Sequence, residues 1–236
     1  MEENYVIAPI AHIHTDFPSK FGIPRQSGLA PSVTGTIVFT PEYRDANALR
    51  GLEGYDRIWL IWGFSMVRDH GFSPTVKPPK LGGNTRMGVF ATRSPFRPNR
   101  LGLSTVRLEG IRQEPGLGSV LVVSGADLMD GTPIYDIKPY LPYVDSHPDA
   151  RGGFASEHQD DMLPVSVPDA LLGQLPAEKR DSLLEVLSRD PRPGYMQGGD
   201  TPFSFPYAGF EIRFRVENGQ LTVYEILPEA EASHVK

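Results

Sequence analysis

The sequence predicts a mostly β protein, in which a single β-barrel is followed by a small α+β C-terminal domain. Three observations support this prediction. Six short β-rich runs, each bounded by Gly, Pro, Asn or Asp, fill residues 1–140. A leucine-spaced helical pattern and two further strand patterns follow after residue 165. No G-x-G-x-x-G loop follows any of the strands, so the common nucleotide-binding α/β fold is not indicated.

The six N-terminal runs are the predicted barrel strands. In chain order they are YVIAPI, TGTIVF, RIWLIWGF, MGVFAT, STVRLEG and SVLVVSGA. Several short strands at close spacing favour a barrel or a curled sheet. The run RIWLIWGF is almost continuously apolar, which indicates a central strand buried on both faces. One short helix is expected between the runs, at RDANALRGL, with Asp45 as its N-cap and Gly51 near its end.

The second half of the chain has a different character. Residues 146–165 are acidic and aperiodic, which predicts a linker or an excursion loop. A helix is predicted next, with Pro176 at its first position and an end before Pro191. The strand patterns GFEIRFRVE and LTVYEIL are separated by NGQ, a hairpin signal. The expected division is therefore a barrel domain at 1–145, the linker, and an α+β domain at 166–236.

Composition excludes several classes of site. The chain contains no cysteine, which excludes disulfides, thiolate zinc sites, cysteine-held iron–sulfur clusters and a cysteine nucleophile. The N-terminus opens MEEN and lacks the basic region of a secretory signal. No run approaches the roughly 18 apolar residues of a membrane span. These features together predict a cytoplasmic protein.

The charge is unevenly distributed along the chain. The net charge is −6, which argues against a general nucleic-acid coat. Residues 77–112 contain eight basic residues and a single acid, a net charge of +7, so the remainder carries −13. A basic zone on an acidic body indicates one specific anionic partner, unless the clustering in sequence does not persist in space.

The centre of this zone is ATRSPFRPNRLGLS (91–104), with arginines at 93, 97 and 100. The prolines at 95 and 98 forbid a helix and push the residues before them towards an extended conformation. A stiff loop that carries guanidinium groups suits planar recognition of carboxylate or phosphate. The alternative is a surface loop with solvated charges.

Other catalytic signatures are absent from the sequence. There is no Walker A motif and no H-E-x-x-H. His12 and His14 alternate on one strand face, as a pair of metal ligands would, but no third ligand lies near them in the sequence. They are therefore interpreted as surface or core histidines, and no metal is predicted.

Four segments carry a family resemblance. They are GIPRQSGLAP (22–31), GLEGYDRIWLIWGF (51–64), PTVKPPKLGGNTRMGVFATRSPFRPNRLGLS (74–104) and DLMDGTPIYDIKPYLPYVD (127–145). They closely resemble the TsaA-like family, the TrmO type of S-adenosylmethionine-dependent tRNA (adenine-N6)-methyltransferase. The tail motif DPRPGY (190–195) is similar to that of the longer bacterial members. The resemblance covers most of the chain except 146–165.

The resemblance implies a β-barrel methyltransferase that acts as a homodimer. It implies methylation of N6 of adenosine 37 in threonine tRNA when that base already carries a threonylcarbamoyl group. It also implies contacts to S-adenosyl-L-methionine from the P-R-Q turn, A-T-R, the residue after L-G, the D-G-T-P turn and the pair after the buried strand. In this chain those residues are Pro24, Arg25, Gln26, Arg93, Leu103, Asp130, Gly131, Thr132, Pro133, Ser65 and Met66.

Three positions depart from the family's pattern. Ser65 and Met66 stand where the family usually has His-Gln, so some polar contacts to the cofactor must be lost or made by backbone. Arg100 replaces the second proline of R-P-N-P and adds a positive charge. His14-Thr15-Asp16 stands where Arg-Ser/Thr-Pro is more common.

The acceptor nitrogen in this reaction belongs to a urea and needs a base to remove its proton. Asp136 is the candidate, with Tyr140 as a second polar group and Lys138 on the carboxylate of the modification. The alternative for Asp136 and Lys138 is a structural ion pair. Arg97 and Arg100 are predicted to contact anticodon-loop phosphates. Two other functions stay open at this stage: a methyltransferase of a small molecule or protein, and a non-enzymatic cofactor-binding module.

Overall fold

The computed structural model describes residues 5–66, 72–78, 81, 85–158, 161–192 and 201–232. Lys80 of the basic zone and the end of the DPRPGY motif (193–195) lie outside these residues. The strands are β1 (Ala11–Thr15), β2 (Thr34–Phe39), β3 (Arg57–Gly63), β4 (Thr75–Val76), β5 (Met87–Gly88), β6 (Leu101–Glu114), β7 (Gly118–Ser124), β8 (Thr132–Pro139), β9 (Val165–Ser166), β10 (Phe203–Tyr207), β11 (Phe210–Glu217) and β12 (Gln220–Pro228). The α-helices are α1 (Pro142–Asp145), α2 (Asp169–Leu172), α3 (Ala177–Ser188) and α4 (Glu229–Ala232).

Six strands close into an antiparallel barrel in the order β1-β2-β7-β6-β3-β8. Alternate residues point inward along each strand, as the period of two requires. The fully buried interior includes Ile13, Ile37, Ile58, Leu121 and Ile134. The predicted fold class, a mostly β protein with a barrel, is therefore confirmed.

The strand predictions have three kinds of outcome. Strands β2, β3 and β7 lie where their apolar runs predicted, and STVRLEG lies within the longer strand β6. The prediction for YVIAPI is wrong, because β1 begins at Ala11, after Pro9, which has no N–H to donate to a ladder. In MGVFAT only Met87–Gly88 is strand, and the chain then forms a 3₁₀ turn over 89–91 that buries Val89. The outer face of β3 is only partly buried, so burial on both faces is incomplete.

The short helix expected at RDANALRGL takes the form of two 3₁₀ turns, at Ala46–Leu49 and Leu52–Gly54, rather than one continuous helix. The Asp45 carboxylate does cap the first turn by accepting from the Asn47 N–H at 2.9 Å. Gly51 breaks the segment because its φ of 87° is left-handed.

The C-terminal half forms a four-stranded sheet, in the order β10-β11-β12-β9, packed with α3. The NGQ hairpin is confirmed: Asn218 and Gly219 both have positive φ, as a two-residue turn between β11 and β12 requires. Helix α3 ends at Ser188, before Pro191 as predicted. Pro176 is its N-cap rather than its first helical residue.

Two apolar cores form around these sheets. One fills the barrel, and the other joins α3 to the C-terminal sheet. The loop between β1 and β2 belongs to the second core, because Phe17, Ala30 and Val33 are buried there. The P-R-Q turn, on that loop, therefore lies between the barrel and the C-terminal sheet. The division at 145 and 165 stays a prediction, with this loop packing across it.

None of the helices in the described ranges is long and apolar enough to cross a bilayer.

Candidate functional site

A cavity of about 2080 Å³ opens between the barrel and the C-terminal half. Its walls come from the β1–β2 loop, the end of β3, the segment after β7 and the residues that follow α3. A further wall is the loop at 91–100, here named the basic loop, which carries arginines at 93, 97 and 100. Seven of the residues implied by the family resemblance line it: Pro24, Arg25, Gln26, Ser65, Met66, Arg93 and Thr132. Residues that are far apart in sequence therefore meet at one concave surface.

Gln26 and Arg93 connect two of these walls directly. The Oε1 atom of Gln26 accepts a hydrogen bond from Nη1 of Arg93. The Nε2 atom of Gln26 donates to the Arg25 carbonyl at 2.5 Å. Because the Gln26 amide is held on both sides, it fixes the Arg93 guanidinium at the cavity wall. Arg93 remains exposed, so the rest of its donor fork faces the open space.

Arg25 has a different environment from the one implied by the resemblance. Its Nη2 donates to the backbone carbonyls of Asp190 and Arg192, each at 3.2 Å. These two residues, here named the C-terminal clamp, form a two-point ion pair with N–O distances of 2.8 and 2.9 Å. Arg192 is only 8% exposed. Arg25 thus ties the P-R-Q turn to the C-terminal half, a contact that no local pattern around residue 25 indicates.

Asp127 is the carboxylate of the cavity that sequence reasoning missed. It accepts from Ser104 Oγ at 2.6 Å, and Ser104 Oγ in turn accepts from Trp62 Nε1 at 2.9 Å. Burial raises the pKa of Asp127, while hydrogen bonds from Ser104 and from the Ser27 backbone N–H and the positive charge of Arg93 counteract part of that rise. Asp127 therefore links β6, the P-R-Q turn and the basic loop. Its position, immediately after the apolar β7 run, was the available sequence signal.

Four residues implied by the resemblance do not line this cavity. Leu103 lies on β6 with 54% of its surface exposed. Asp130, Gly131 and Pro133 form the start of β8 and the turn before it, where Gly131 has a φ of 74°. The Asp130 carboxylate instead accepts from the Thr15 N–H and bonds His14 Nδ1, both at 3.1 Å. A role for these four in cofactor binding stays a prediction.

The three residues proposed for chemistry and for the threonylcarbamoyl group lie on or just after β8 and also do not line the cavity. Lys138 Nζ is 2.9 Å from Asp136 Oδ2, so the ion pair considered as the alternative is present. Asp136 Oδ1 also accepts from the Ile137 N–H at 2.9 Å. The Tyr140 ring packs on Trp59 at a centroid distance of 5.7 Å. The catalytic roles stay predictions.

Arg97 and Arg100 take part in the architecture of the basic loop. Arg97 Nη1 donates to the Thr92 carbonyl at 2.7 Å, and the Arg100 carbonyl accepts from the Phe64 N–H at 3.0 Å. The Arg97 guanidinium also lies over the Phe90 ring at 5.8 Å. Phosphate contacts from these two arginines stay predictions. Across the described ranges, no cluster of three or more acidic or histidine side chains could hold a metal ion.

The cavity suits a ligand with separate charged and apolar parts. The Arg93 guanidinium can bind a carboxylate in a planar fork. The Asp127 carboxylate can face an ammonium or hydroxyl group. Leu29, Phe64 and Met129 supply apolar wall. Such a donor set fits S-adenosyl-L-methionine, which combines an amino-acid end with ribose hydroxyls and a flat heterocycle.

Comparison with known proteins agrees with this geometry. Residues 12–146 match the model of the tRNA-methyltransferase O N-terminal domain. A tRNA (adenine(37)-N6)-methyltransferase of Escherichia coli strain K12 is 40% identical over 93% of this chain and 96% of its own. A Pyrococcus abyssi relative named as a probable S-adenosyl-L-methionine-binding protein is 35% identical over 64% of this chain and 76% of its own.

A crystal structure of TrmO from P. aeruginosa superposes with a TM-score of 0.78 at 30% identity. The match covers 97% of this chain and 99% of that one. The family model and the long relative together establish where the chain belongs: it is a member of the tRNA-methyltransferase O family.

Proposed function

We propose that this protein transfers a methyl group from S-adenosyl-L-methionine to N6 of threonylcarbamoyl-adenosine 37 in threonine tRNA. Its family membership and the E. coli relative support a tRNA (adenine37-N6)-methyltransferase. The threonylcarbamoyl substrate, the threonine tRNA, the homodimer and the cytoplasmic location rest on the resemblance read from the sequence. The single structural observation that supports the proposal most is that the hydrogen-bonded Gln26–Arg93 pair and Asp127 line one cavity.

The cofactor, when bound, supplies a methyl carbon activated by a sulfonium. Arg93 is the residue for its carboxylate, because Gln26 already fixes the guanidinium at the wall. Asp127 acts as a positioning residue, since it accepts from the N–H of Ser27, the residue directly after the P-R-Q turn, and lies within electrostatic range of Arg93. Transfer needs the acceptor nitrogen held in line with the bond that breaks, and orientation of this kind can contribute roughly 7–11 kcal/mol.

The acceptor proton must also be removed. Asp136 remains the proposed base, with Tyr140 beside it and Lys138 for the carboxylate of the modification. In the isolated chain the Lys138 ammonium already occupies one Asp136 oxygen at 2.9 Å, and Asp136 does not line the cavity. This proposal therefore requires the pair to open and the carboxylate to come within reach of the acceptor when substrate binds. Asp136→Asn should lose transfer and keep cofactor affinity. A variant that retains most of its transfer would remove Asp136 from the role.

The proposed function is tested with purified protein, labelled S-adenosyl-L-methionine and tRNA from cells that lack this protein. Nucleoside mass analysis should show the label on threonylcarbamoyl-adenosine. Cofactor binding without transfer, and no retention of tRNA at moderate salt, would instead indicate a small-molecule or protein methyltransferase or a non-enzymatic binding module. If the protein neither binds the cofactor nor transfers a methyl group, the chain has lost the family's activity through Ser65-Met66 and the other departures from the family's pattern.

A further inference from the structure

Three phenylalanines at the cavity or next to it are exposed to solvent. Phe72 is 53% exposed, Phe90 72% and Phe96 36%. The rings of Phe72 and Phe90 stack on each other, with centroids 6.4 Å apart and planes inclined by 27°. Phe90 and Phe96 line the cavity beside Arg93, whereas Phe72 does not. These residues are named here the aromatic platform.

The backbone holds the aromatic platform in place. The Val89 N–H donates to the Pro74 carbonyl at 3.0 Å, and Val89 itself is 1% exposed. The chain thus buries Val89 and directs the next residue, Phe90, outward. The Ser73 N–H donates to the Phe96 carbonyl at 3.4 Å, which joins the segments that carry the other two rings. Rings on a braced backbone cost little conformational entropy when they bind a partner.

Arg97 adds a charge and further bracing to the same surface. Its Nη1 donates to the Thr92 carbonyl at 2.7 Å and the Val89 carbonyl at 3.3 Å. Its guanidinium lies 5.8 Å from the Phe90 ring centroid. The Arg97 side chain therefore helps to build the platform, and its positive charge stays over the Phe90 ring.

The surroundings of the platform indicate what it binds. From Gly71 to Ser104 the sequence contains six basic residues and no acid. Within the described part of that segment, Lys77, Arg86 and Arg93 are exposed. Exposed aromatic faces inside a basic surface match unpaired nucleic-acid bases, which offer flat rings joined by phosphates. An anionic chain with stackable faces therefore fits this surface better than an apolar peptide.

We propose that the aromatic platform stacks unpaired bases of the anticodon loop next to the adenosine that enters the cavity. The inference rests on the proposed function and adds a second contact surface to it. Stacking on Phe72 and Phe90 is independent of base identity, because every base has a π face. The neighbours of the modified base are thereby held outside the cavity while the base itself is inside.

The test uses the threonine tRNA anticodon stem–loop with 2-aminopurine in the loop as a fluorescent probe. The wild-type protein should quench the probe by stacking. Phe72→Ala and Phe90→Ala should each weaken binding about tenfold or more at one salt concentration, as expected for the loss of one stacked base. The dependence on salt should keep its slope, because no charge is removed. Phe90→Trp should retain both affinity and quenching.

The matched control is Tyr224→Ala, which removes a ring of 44% exposure on β12 and outside the cavity; it should bind the stem–loop as the wild type does. Phe72→Ala should keep its affinity for S-adenosyl-L-methionine, because Phe72 does not line the cavity. If the wild type methylates tRNA but Phe72→Ala and Phe90→Ala bind the stem–loop unchanged, the platform inference fails alone. If those variants dissociate a dimer in sedimentation while quenching persists, the surface is a subunit interface and the inference is also overturned.

Discussion

Asp127→Asn provides the sharpest test of how the cavity is built. The carboxylate accepts from Ser104 Oγ at 2.6 Å, holds the Ser27 N–H and faces Arg93. The amide of asparagine keeps the shape and some of the hydrogen bonds but loses the charge. A hydrogen bond to a charged group contributes about 1.5–3 kcal/mol. At about 1.4 kcal/mol per tenfold change, the Kd for S-adenosyl-L-methionine should rise roughly tenfold to a hundredfold.

Isothermal titration of the cofactor into wild type and variant measures this change. Asp145→Asn is the matched control, because Asp145 is likewise a carboxylate that accepts a side-chain hydrogen bond, from Trp59 Nε1 at 3.0 Å, but it lies outside the cavity. The control should bind the cofactor as the wild type does. If Asp127→Asn also binds with unchanged affinity, Asp127 does not position the P-R-Q turn and Arg93.

The same substitution has a pH signature of known sign. Burial raises the pKa of Asp127 in the folded protein above its usual value of 3.8. The folded state therefore holds this proton more tightly than the unfolded state, and ionisation of Asp127 lowers stability as pH rises through the folded pKa. Any stability that Asp127→Asn gains relative to wild type should be largest at neutral pH and shrink as pH falls towards 3.8. Chemical denaturation across that range measures it, and a difference that grows on acidification would contradict the assignment.

Three further predictions concern stability and the join between the two halves. Gly102→Ala should destabilise the barrel by about 1–3 kcal/mol, because the new Cβ would lie 2.3 Å from the Trp62 ring. Thermal unfolding measures this loss. Gly54→Ala is the control, because the space around Gly54 is open. Tyr207→Phe removes a fully buried hydroxyl that hydrogen-bonds Ser182 Oγ at 2.5 Å. The free energy of unfolding, measured by urea denaturation, should fall by about 1 kcal/mol. Arg25→Met removes both hydrogen bonds that Nη2 donates to the carbonyls of the C-terminal clamp; amide hydrogen exchange there should accelerate roughly tenfold, and unchanged protection would show that the contact does not hold the clamp.

Local patterns predicted the elements that depend on local chemistry. The alternation and turn residues of TGTIVF suffice to predict β2. Asn218-Gly219 suffices to predict the β11–β12 hairpin, because these two residue types readily adopt positive φ. The pattern failed at YVIAPI, where strand-forming residues precede Pro9 and the barrel offers no partner for most of the run. It failed at Phe90 because burial of its neighbour Val89, against a distant segment, decides the direction of the chain.

The site residues divide in the same way, into those that the sequence identifies and those whose role depends on tertiary contacts. Gln26 and Arg93 could be named from the resemblance, and the structure brings them together. Asp127 was missed, although it directly follows the apolar β7 run, because its role depends on Ser104, which the barrel fold brings to it and which Trp62 holds in turn. The contact between Arg25 and the C-terminal clamp could not be predicted from local sequence either, since Arg25 and Asp190 are 165 positions apart in the chain.

The position of the P-R-Q turn has a thermodynamic consequence for the whole chain. The loop that carries it is held to the C-terminal half at several points besides Arg25. Lys179 Nζ lies 2.6 Å from an Asp16 oxygen, and the Glu185 carboxylate accepts from both the N–H and the hydroxyl of Ser32 at 2.8 Å. Loosening the C-terminal core therefore loosens a wall of the cofactor cavity. By linkage, a ligand that binds only the ordered wall must stabilise the C-terminal half, so cofactor affinity and C-terminal stability should rise and fall together.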